Sequence, residues 1–309
     1  MVGQADLFAQ VREFPDPDAH ARFAALVGID DVKARLTAEA SLLIDPEAIE
    51  RWSNQHHDGY PFGAKEVARR TPLIVLAGDV GTGKTELAES FGDAVARSMQ
   101  VDVTLYPLSL SARGKGAVGE MTSLLTAAFN EVRAAGAKAR NGKGRVSRGL
   151  VLLIDEADAL AQSRELAQMH HEDRAGVNTL VRGIDSLRSD NLPVLTVMCT
   201  NRLEALDPAV TRRAAVIFTF ERPGDEQRRV LLEGLLDGFG ISATAVDTLV
   251  ELTGPRAGRA YGATYSDIRQ RLVPGAVLRA FSSSAPLTGP GLIDVAKTFE
   301  PTRPFGVLS

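Results

Sequence analysis

Residues 78–85 carry the residue types that are needed to hold a polyphosphate. They follow the apolar run 72–77, precede a helical pattern and match G-x-x-x-x-G-K-T. Glycines let the backbone wrap round an anion with its N–H groups pointing inward, and the start of the next helix adds a positive end. The predicted nucleotide-contacting residues are Gly78, Asp79, Val80, Gly81, Thr82, Gly83, Lys84, Thr85 and the following Glu86.

Two side chains of this loop have separate predicted roles. Lys84 is expected to reach the β- and γ-phosphates of ATP, and the Thr85 hydroxyl is expected to bind Mg²⁺. A chance glycine turn is the alternative interpretation. The position between a buried strand and a helix favours the phosphate loop.

Two acids end a second apolar strand, in the run LVLLIDEAD. Burying a charge is costly, so Asp155 and Glu156 have little structural purpose there. Asp155 is predicted to hold Mg²⁺, and Glu156 is predicted to orient and deprotonate the attacking water. A strand that merely ends in solvated acids is the alternative. Together with the phosphate loop, the acids indicate hydrolysis of a nucleoside triphosphate.

A third strand, 192–201, ends in Asn201, whose amide is predicted to hold the attacking water; alone, Asn201 would be an ordinary turn residue. Arg212 and Arg213 lie too far along the chain to serve their own site. A cation from a neighbouring subunit could stabilise the transferring phosphoryl group. The alternative for the two arginines is a solvated pair at a helix end.

The elements that must position these residues alternate between strands and helices. Continuous apolar runs predict strands at 71–78, 149–156, 192–201 and 214–220, with a more mixed strand at 101–108. Helical periodicity covers 85–99, 121–135 and 175–187. This alternation predicts an α/β domain with a doubly wound parallel sheet covered on both faces.

The pattern changes after Phe220. A polar joint at 221–227 is followed by helical segments and by a loop at 282–291. The sequence therefore predicts an N-terminal extension at 1–24, an α/β ATPase subdomain at 25–221 and a smaller all-helical lid at 222–309.

Composition excludes several classes of protein. The 309 residues are 44 % hydrophobic and 24 % charged, with a formal charge of −4 and one cysteine, Cys199. No disulfide, Cys/His metal spacing, secretory leader or membrane-length apolar run is present. The expectation is a cytoplasmic protein for which bulk charge does not favour nucleic acid.

These motifs, in this order, resemble the AAA+ ATPases of the AAA branch over about residues 24–300. Residues 78–85 resemble Walker A, Asp155 with Glu156 resembles Walker B, and Asn201 resembles sensor 1. The segment 206–214 is similar to the arginine-finger segment, with Arg212 or Arg213 as the finger. Residues 23–36 resemble the opening segment of the family, which implies that Val27, Gly28 and Ile29 lie against the adenine. The resemblance implies an ATP- and Mg²⁺-dependent homo-hexamer that pulls polypeptide through a central pore.

Within this branch, residues 155–165, 174–187 and 211–223 are similar to the pachytene-checkpoint-type remodellers of HORMA-domain proteins and to their bacterial anti-phage relatives. That resemblance implies a HORMA-domain client. Two features depart from the family. The stretch that resembles the first pore loop, with Gly116, Ala117, Val118 and Gly119, has Ala117 in place of an aromatic residue; a plain surface loop is the alternative. Ser266 occupies the sensor-2 place, and Arg269 is predicted to substitute for the arginine usual there.

Other features are weaker. Residues 136–149 contain five cations and no acid, which leaves open a nucleic-acid-associated AAA+ such as a loader or transposition helper, although a solvated loop is favoured. His170 and His171 fall where a second pore loop would lie, although a surface pair is favoured. An ATP-gated scaffold without turnover is a third reading, and the intact Glu156 argues against it.

Overall fold

The structure is a computed structural model that describes residues 7–109, 120–140, 145–160 and 170–305. By contacts, the chain forms two compact units, which are described separately below. The first unit comprises Met1–Ala25, Asp30–Ala77 and Thr85–Thr219, and the second comprises Leu26–Ile29, Gly78–Lys84 and Phe220–Ser309.

A six-stranded sheet organises the first unit. The strands are β1 (Arg12–Phe14), β2 (Leu73–Gly78), β3 (Asp102–Ser109), β4 (Arg148–Asp155), β5 (Val194–Thr200) and β6 (Val216–Phe220). Their order is β1-β3-β4-β5-β2-β6. Strands β3, β4, β5 and β2 pair in parallel, whereas β1 pairs with β3 in the antiparallel sense.

The central strands are buried on both faces. Leu150, Leu152 and Ile154 of β4 belong to one core cluster, and the alternate residues Val151 and Leu153 are equally buried. Successive side chains of a strand point to opposite faces, so both faces of β4 are covered. This confirms the predicted doubly wound α/β fold, with the antiparallel edge strand as an addition.

The helices include the three predicted at 85–99, 121–135 and 175–187, whereas the four between Pro17 and Ala68 were not predicted from the sequence. They are α1 (Pro17–Ala24), α2 (Asp30–Ile44), α3 (Glu47–His56), α4 (Phe62–Ala68), α5 (Lys84–Met99), α6 (Glu120–Ala137), α7 (His170–Ser189), α8 (Pro208–Thr211), α9 (Asp225–Leu236), α10 (Ala243–Thr253), α11 (Val273–Ser282) and α12 (Gly289–Thr298), with 3₁₀ turns at Ala157–Leu160 and Leu203–Ala205 and a π-helical turn at Asp267–Leu272. Among the described residues, no helix combines the length and apolarity that crossing a membrane requires.

Parallel pairing brings the predicted site residues of the first unit to one edge of the sheet. Ile154 lies opposite Met198, and Ala77 lies opposite Thr200. The carboxyl ends of β2, β4 and β5 therefore meet. Ligands of open α/β sheets bind at this edge.

Strand β1 lies in the stretch that the sequence treats as an extension. Phe14 is buried, and its ring fills the space where a side chain at Gly92 would lie. The carboxylate of Asp93 accepts hydrogen bonds from the Asp16 amide and from Arg97 and contacts His20 Nδ1. Burial would raise the pKa of Asp93, but these bonds outweigh it and lower the pKa. The segment is thus anchored to α5.

The helical part of the second unit has its own core. Its fully buried side chains include Leu232, Leu249, Ile268, Leu272 and Leu292. They come from four different helical segments, so burial of their apolar surface holds those segments together. The predicted boundaries at 24/25 and 221/222 stay predictions.

Candidate functional site

The phosphate-loop residues 78–84 lie in the second unit. Gly78, Gly81 and Gly83 have positive φ values of 150°, 74° and 92°. A Cβ atom at Gly78 would collide with the backbone oxygen of Phe220, and one at Gly81 would lie 2.6 Å from Thr264 Oγ1. Backbone conformation and close approach therefore both require glycine at 78 and 81.

Polar groups of the loop converge on the carbonyl oxygen of Asp79. It accepts hydrogen bonds of 2.8 Å from Thr82 Oγ1 and from Lys84 Nζ. Lys84 is only 5 % exposed. Its ammonium group is therefore held within the loop, as a residue that binds phosphate would be, and the cradle fits the predicted polyphosphate.

The Asp79 carboxylate makes a second set of contacts. One oxygen accepts a 2.8 Å hydrogen bond from the Val80 amide. The other accepts a 2.7 Å hydrogen bond from Arg222 Nε. Arg222 was not singled out from the sequence, because its partner lies 143 positions away.

The predicted adenine segment also belongs to the second unit. Gly28 has φ +72°, and its carbonyl oxygen accepts a 2.9 Å hydrogen bond from Gln227 Nε2. Gln227 Oε1 in turn accepts from the Gly224 amide, at the start of α9. Gln227 thus fixes the turn that contains Val27 and Ile29. Sequence reasoning missed it, although its place three residues after an N-cap glycine is a capping signal.

The sensor-2 place lies beside the phosphate loop. The Ser266 amide donates a 3.1 Å hydrogen bond to the Gly81 carbonyl. Ser266 Oγ donates a hydrogen bond to Oε1 of Gln270, which lies one helical turn further along the chain. Arg269 is exposed. Its predicted nucleotide contact stays a prediction.

In the first unit, the predicted metal ligands are neighbours. Thr85 Oγ1 lies 3.5 Å from Asp155 Oδ1. Burial raises the pKa of Asp155, against the opposing effect of hydrogen bonds from the Glu156 amide and the Thr85 hydroxyl. A hydroxyl and a carboxylate are hard oxygen ligands, so the pair fits Mg²⁺.

Glu156 follows in an unusual backbone conformation. Its φ is +53°, in the left-handed region that few residues other than glycine adopt. Its amide donates a 2.8 Å hydrogen bond to Asp155 Oδ1, and the residue is exposed. Such conformations concentrate at functional sites, where surrounding structure maintains them. Exposure leaves the Glu156 carboxylate accessible to a water molecule.

Asn201 is positioned by a residue that sequence reasoning did not assign. Asp158 is buried, and its Oδ1 lies 3.3 Å from the backbone nitrogen of Asn201 and 3.4 Å from Thr200 Oγ1. It therefore joins the end of β4 to the end of β5. A third acid three positions after Asp155 was the available signal.

The two candidate finger arginines differ in their surroundings. Arg213 makes a forked ion pair with Asp185, with Nε and Nη2 each 3.1 Å from a carboxylate oxygen. Its Nη1 donates to the Ala209 carbonyl. Arg212 is exposed, and its Nε donates to the Pro208 carbonyl.

Three other predictions concern Glu86, the first pore loop and the histidine pair. Glu86 pairs with Arg22 at 3.3 Å in the first unit. The pore-loop residues Gly116, Ala117, Val118 and Gly119 lie outside the described residues, as do the side chains of the two histidines at the start of α7. These predictions stay untested.

The basic stretch is partly neutralised from within the chain. Arg140 pairs with Glu47 at 3.2 Å, and Arg148 pairs with Glu13 at 2.8 Å. At least two of its five cations are therefore engaged by acids, which weakens the interpretation as a nucleic-acid surface.

Comparison with known proteins places this arrangement of motifs in a family. The sequence model described as "ATPase family associated with various cellular activities (AAA)" matches residues 74–222, which include the loop, both acids, Asn201 and the arginine pair. CD-NTase-associated protein 6 of Escherichia coli (strain MS 115-1) is 52 % identical over 300 residues, covering 97 % of this chain and 96 % of that protein. The chain belongs to the AAA family of ATPases.

Solved structures agree with this assignment. In "Structure of E. coli MS115-1 HORMA:CdnC:Trip13 complex", a chain 51 % identical to this AAA ATPase matches it with a TM-score of 0.89 over 97 % of both chains. "Structure of Rhizobiales Trip13" matches with 41 % identity and a TM-score of 0.74, covering 96 % of this chain and 100 % of that one. The resemblance that the motifs indicated is confirmed, and membership of the family implies nucleotide binding and supports ATP hydrolysis.

Proposed function

We propose that this AAA ATPase uses ATP hydrolysis to remodel a HORMA-domain protein, as a homo-hexamer. The contact between Thr85 and Asp155, with Glu156 exposed beside it, is the observation that carries the proposal of hydrolysis. The similarity to a chain solved in a HORMA:CdnC:Trip13 complex supports the proposed client.

In the proposed reaction, the loop amides and Lys84 bind the phosphates, and Thr85 and Asp155 would hold Mg²⁺. When bound, this ion would neutralise charge on the phosphate oxygens. Glu156 accepts the proton of the attacking water, and Asn201 orients that water from the adjacent strand end. Asp158 keeps Asn201 in place by accepting a hydrogen bond from the backbone N–H of Asn201.

We assign the finger role to Arg212 rather than Arg213. Arg213 is committed to Asp185 through two guanidinium nitrogens, so releasing it would break that ion pair. Arg212, directly before Arg213, is exposed and is therefore available to a nucleotide held by another subunit. A guanidinium supplied from a neighbour stabilises charge in the transition state.

The decisive experiment combines the purified chain with a HORMA-domain protein complex, such as one with a nucleotidyltransferase, and follows disassembly on adding ATP and Mg²⁺. We expect wild type to dissociate the complex and Glu156→Gln to bind ATP without dissociating it. Glu251→Gln, at an exposed glutamate of the helical part, is the matched control and should behave as wild type.

Equal disassembly by wild type and Glu156→Gln would contradict the motor proposal. ATP turnover that rises on adding DNA, with no effect of a HORMA-domain protein, would instead favour the nucleic-acid-associated alternative.

A further inference from the structure

The phosphate loop contains an acid at its second position. Asp79 directly follows Gly78, and its own carbonyl oxygen accepts the Lys84 ammonium. A carboxylate beside a bound triphosphate repels it, because like charges interact unfavourably and least screening occurs where water is partly excluded. The Asp79 side chain is only 17 % exposed. An uncompensated charge at Asp79 would therefore oppose the binding function proposed for this loop.

Arg222 compensates that charge. Its Nε donates to Asp79 Oδ2 at 2.7 Å, and its Nη2 lies 2.6 Å from the same oxygen. The Arg222 side chain is 12 % exposed, so solvent screens the pair little. Hydrogen bonds between charged partners are roughly twice as strong as neutral ones. The positive charge of Arg222 therefore balances the negative charge that Asp79 brings to the loop.

The remaining nitrogen of Arg222 extends the contact into the helical part of the second unit. Nη1 donates hydrogen bonds of 2.7 Å to the carbonyl oxygens of Gly262 and Thr302. The guanidinium carbon also lies 5.1 Å from the centre of the Tyr261 ring. Arg222 is thus bonded through Nε and Nη1 and contacts an aromatic ring, and it links the loop to two distant segments.

The segment around Thr302 is itself fixed. The Thr302 amide and hydroxyl both donate to the buried carboxylate of Asp267, at 3.0 and 2.7 Å. Asp267 also accepts from the Thr264 amide, two positions after Gly262. Both carbonyl oxygens that receive Arg222 therefore belong to a bonded framework, which keeps the guanidinium directed at Asp79.

We propose that Arg222 is a positioning residue that sets nucleotide affinity, by neutralising Asp79 in the phosphate loop and holding that loop against the 262 and 302 segments. This inference rests on the proposed binding of ATP by residues 78–85. It distinguishes Arg222 from a residue that only stabilises the fold, because its effect depends on the charge of the ligand.

A double-mutant cycle tests the proposal. The dissociation constants of adenosine, ADP and ATP are measured by calorimetry for wild type, Asp79→Asn, Arg222→Met and Asp79→Asn/Arg222→Met. We expect Arg222→Met to weaken ATP binding at least about tenfold, which is about 1.4 kcal/mol. The affinity for ADP should fall less, and the affinity for adenosine should hardly change, because the repulsion grows with the number of phosphates.

The double variant carries the sharpest expectation. Removing the acid also removes the repulsion, so Asp79→Asn/Arg222→Met should recover to within about threefold of Asp79→Asn, a non-additive result typical of directly interacting residues. The loss in Arg222→Met should also shrink in high salt. Arg279→Met, at an exposed arginine of the helical part, is the control and should bind ATP as wild type does.

Each remaining outcome decides the matter. The proposal is wrong if the double variant binds ATP as poorly as Arg222→Met does. It is also wrong if Arg222→Met weakens the binding of all three ligands equally, because Arg222 then acts only through folding. If Arg222→Met does not fold, Arg222→Lys replaces it and should show a smaller loss that Asp79→Asn reverses. Wild type that binds no nucleotide would overturn the proposed function itself, whereas nucleotide binding insensitive to Arg222 would overturn this inference alone.

Discussion

At the scale of single residues, neighbouring side chains of one type can have different roles. Arg212 and Arg213 are indistinguishable in the sequence, yet only Arg213 has a forked ion pair with Asp185. The planar guanidinium suits this two-pronged contact with a carboxylate. The pair holds the segment of α8 to α7 and leaves Arg212 at the surface.

We expect Arg212→Ala to lower kcat for ATP hydrolysis by about 10³-fold or more, the lower end of the range for an arginine finger, while leaving the Kd for ATP unchanged. Steady-state turnover and calorimetry measure the two quantities. Arg213→Ala should instead lower the free energy of unfolding by about 1 kcal/mol, since the ion pair is partly exposed. A larger loss of kcat in Arg213→Ala than in Arg212→Ala would reverse the assignment.

At the scale of elements, a single buried carboxylate joins three parts of the helical end. Asp267 is 1 % exposed and begins the π-helical turn. It accepts hydrogen bonds from Thr264, from Thr302 and from Arg271 Nη1 at 2.7 Å. Burial would raise the pKa of Asp267, but these bonds are stronger in effect and lower it.

We expect Asp267→Asn to lower the free energy of unfolding by about 2 kcal/mol at pH 7, because hydrogen bonds to the charged carboxylate are lost. The folded-state pKa is lowered, so this stabilisation exists above the unfolded pKa of about 3.9 and disappears as the pH falls through the folded value. Urea unfolding at pH 7 and at pH 3 should show the difference between variant and wild type shrinking. A difference that is constant with pH would exclude the charged form as its source.

Local patterns predicted the elements that surround the site, and distant contacts decided what the patterns left out. Residues 78–85 and the two acids at the end of β4 follow from short motifs next to apolar strands. Strand β1 was missed because three residues carry too little periodicity, and its pairing depends on β3. Arg222 was missed because its meaning depends on Asp79, far along the chain. Asp185 selects between the two arginines for the same reason.

At the scale of the whole molecule, the finger role proposed for Arg212 requires a second subunit. The similarity to known AAA proteins extends over nearly the full chain and therefore includes all the motifs on which the proposed assembly depends. Arg212 and Glu156 would then contribute to the same site from different copies of the chain.

Mixing two inactive variants tests this arrangement. Glu156→Gln lacks the base but supplies Arg212, and Arg212→Ala has the reverse defect. In an equal mixture that exchanges subunits, about a quarter of the sites combine an intact Glu156 with an intact neighbouring Arg212, so about a quarter of the wild-type ATPase rate should return. Each variant alone is the control. No recovery after confirmed subunit exchange would show that both residues act within one subunit.

The short strand at the margin of the sheet has a consequence for solubility. Residues 103–105 of β3 pair with β1, and the Ala9 amide donates to the Pro107 carbonyl. An uncovered margin presents unpaired backbone groups on which another chain can add a strand. A stretch of about six residues, none of which is predicted to contact nucleotide, therefore covers this margin. Deleting it should promote aggregation of the protein without removing any predicted site residue.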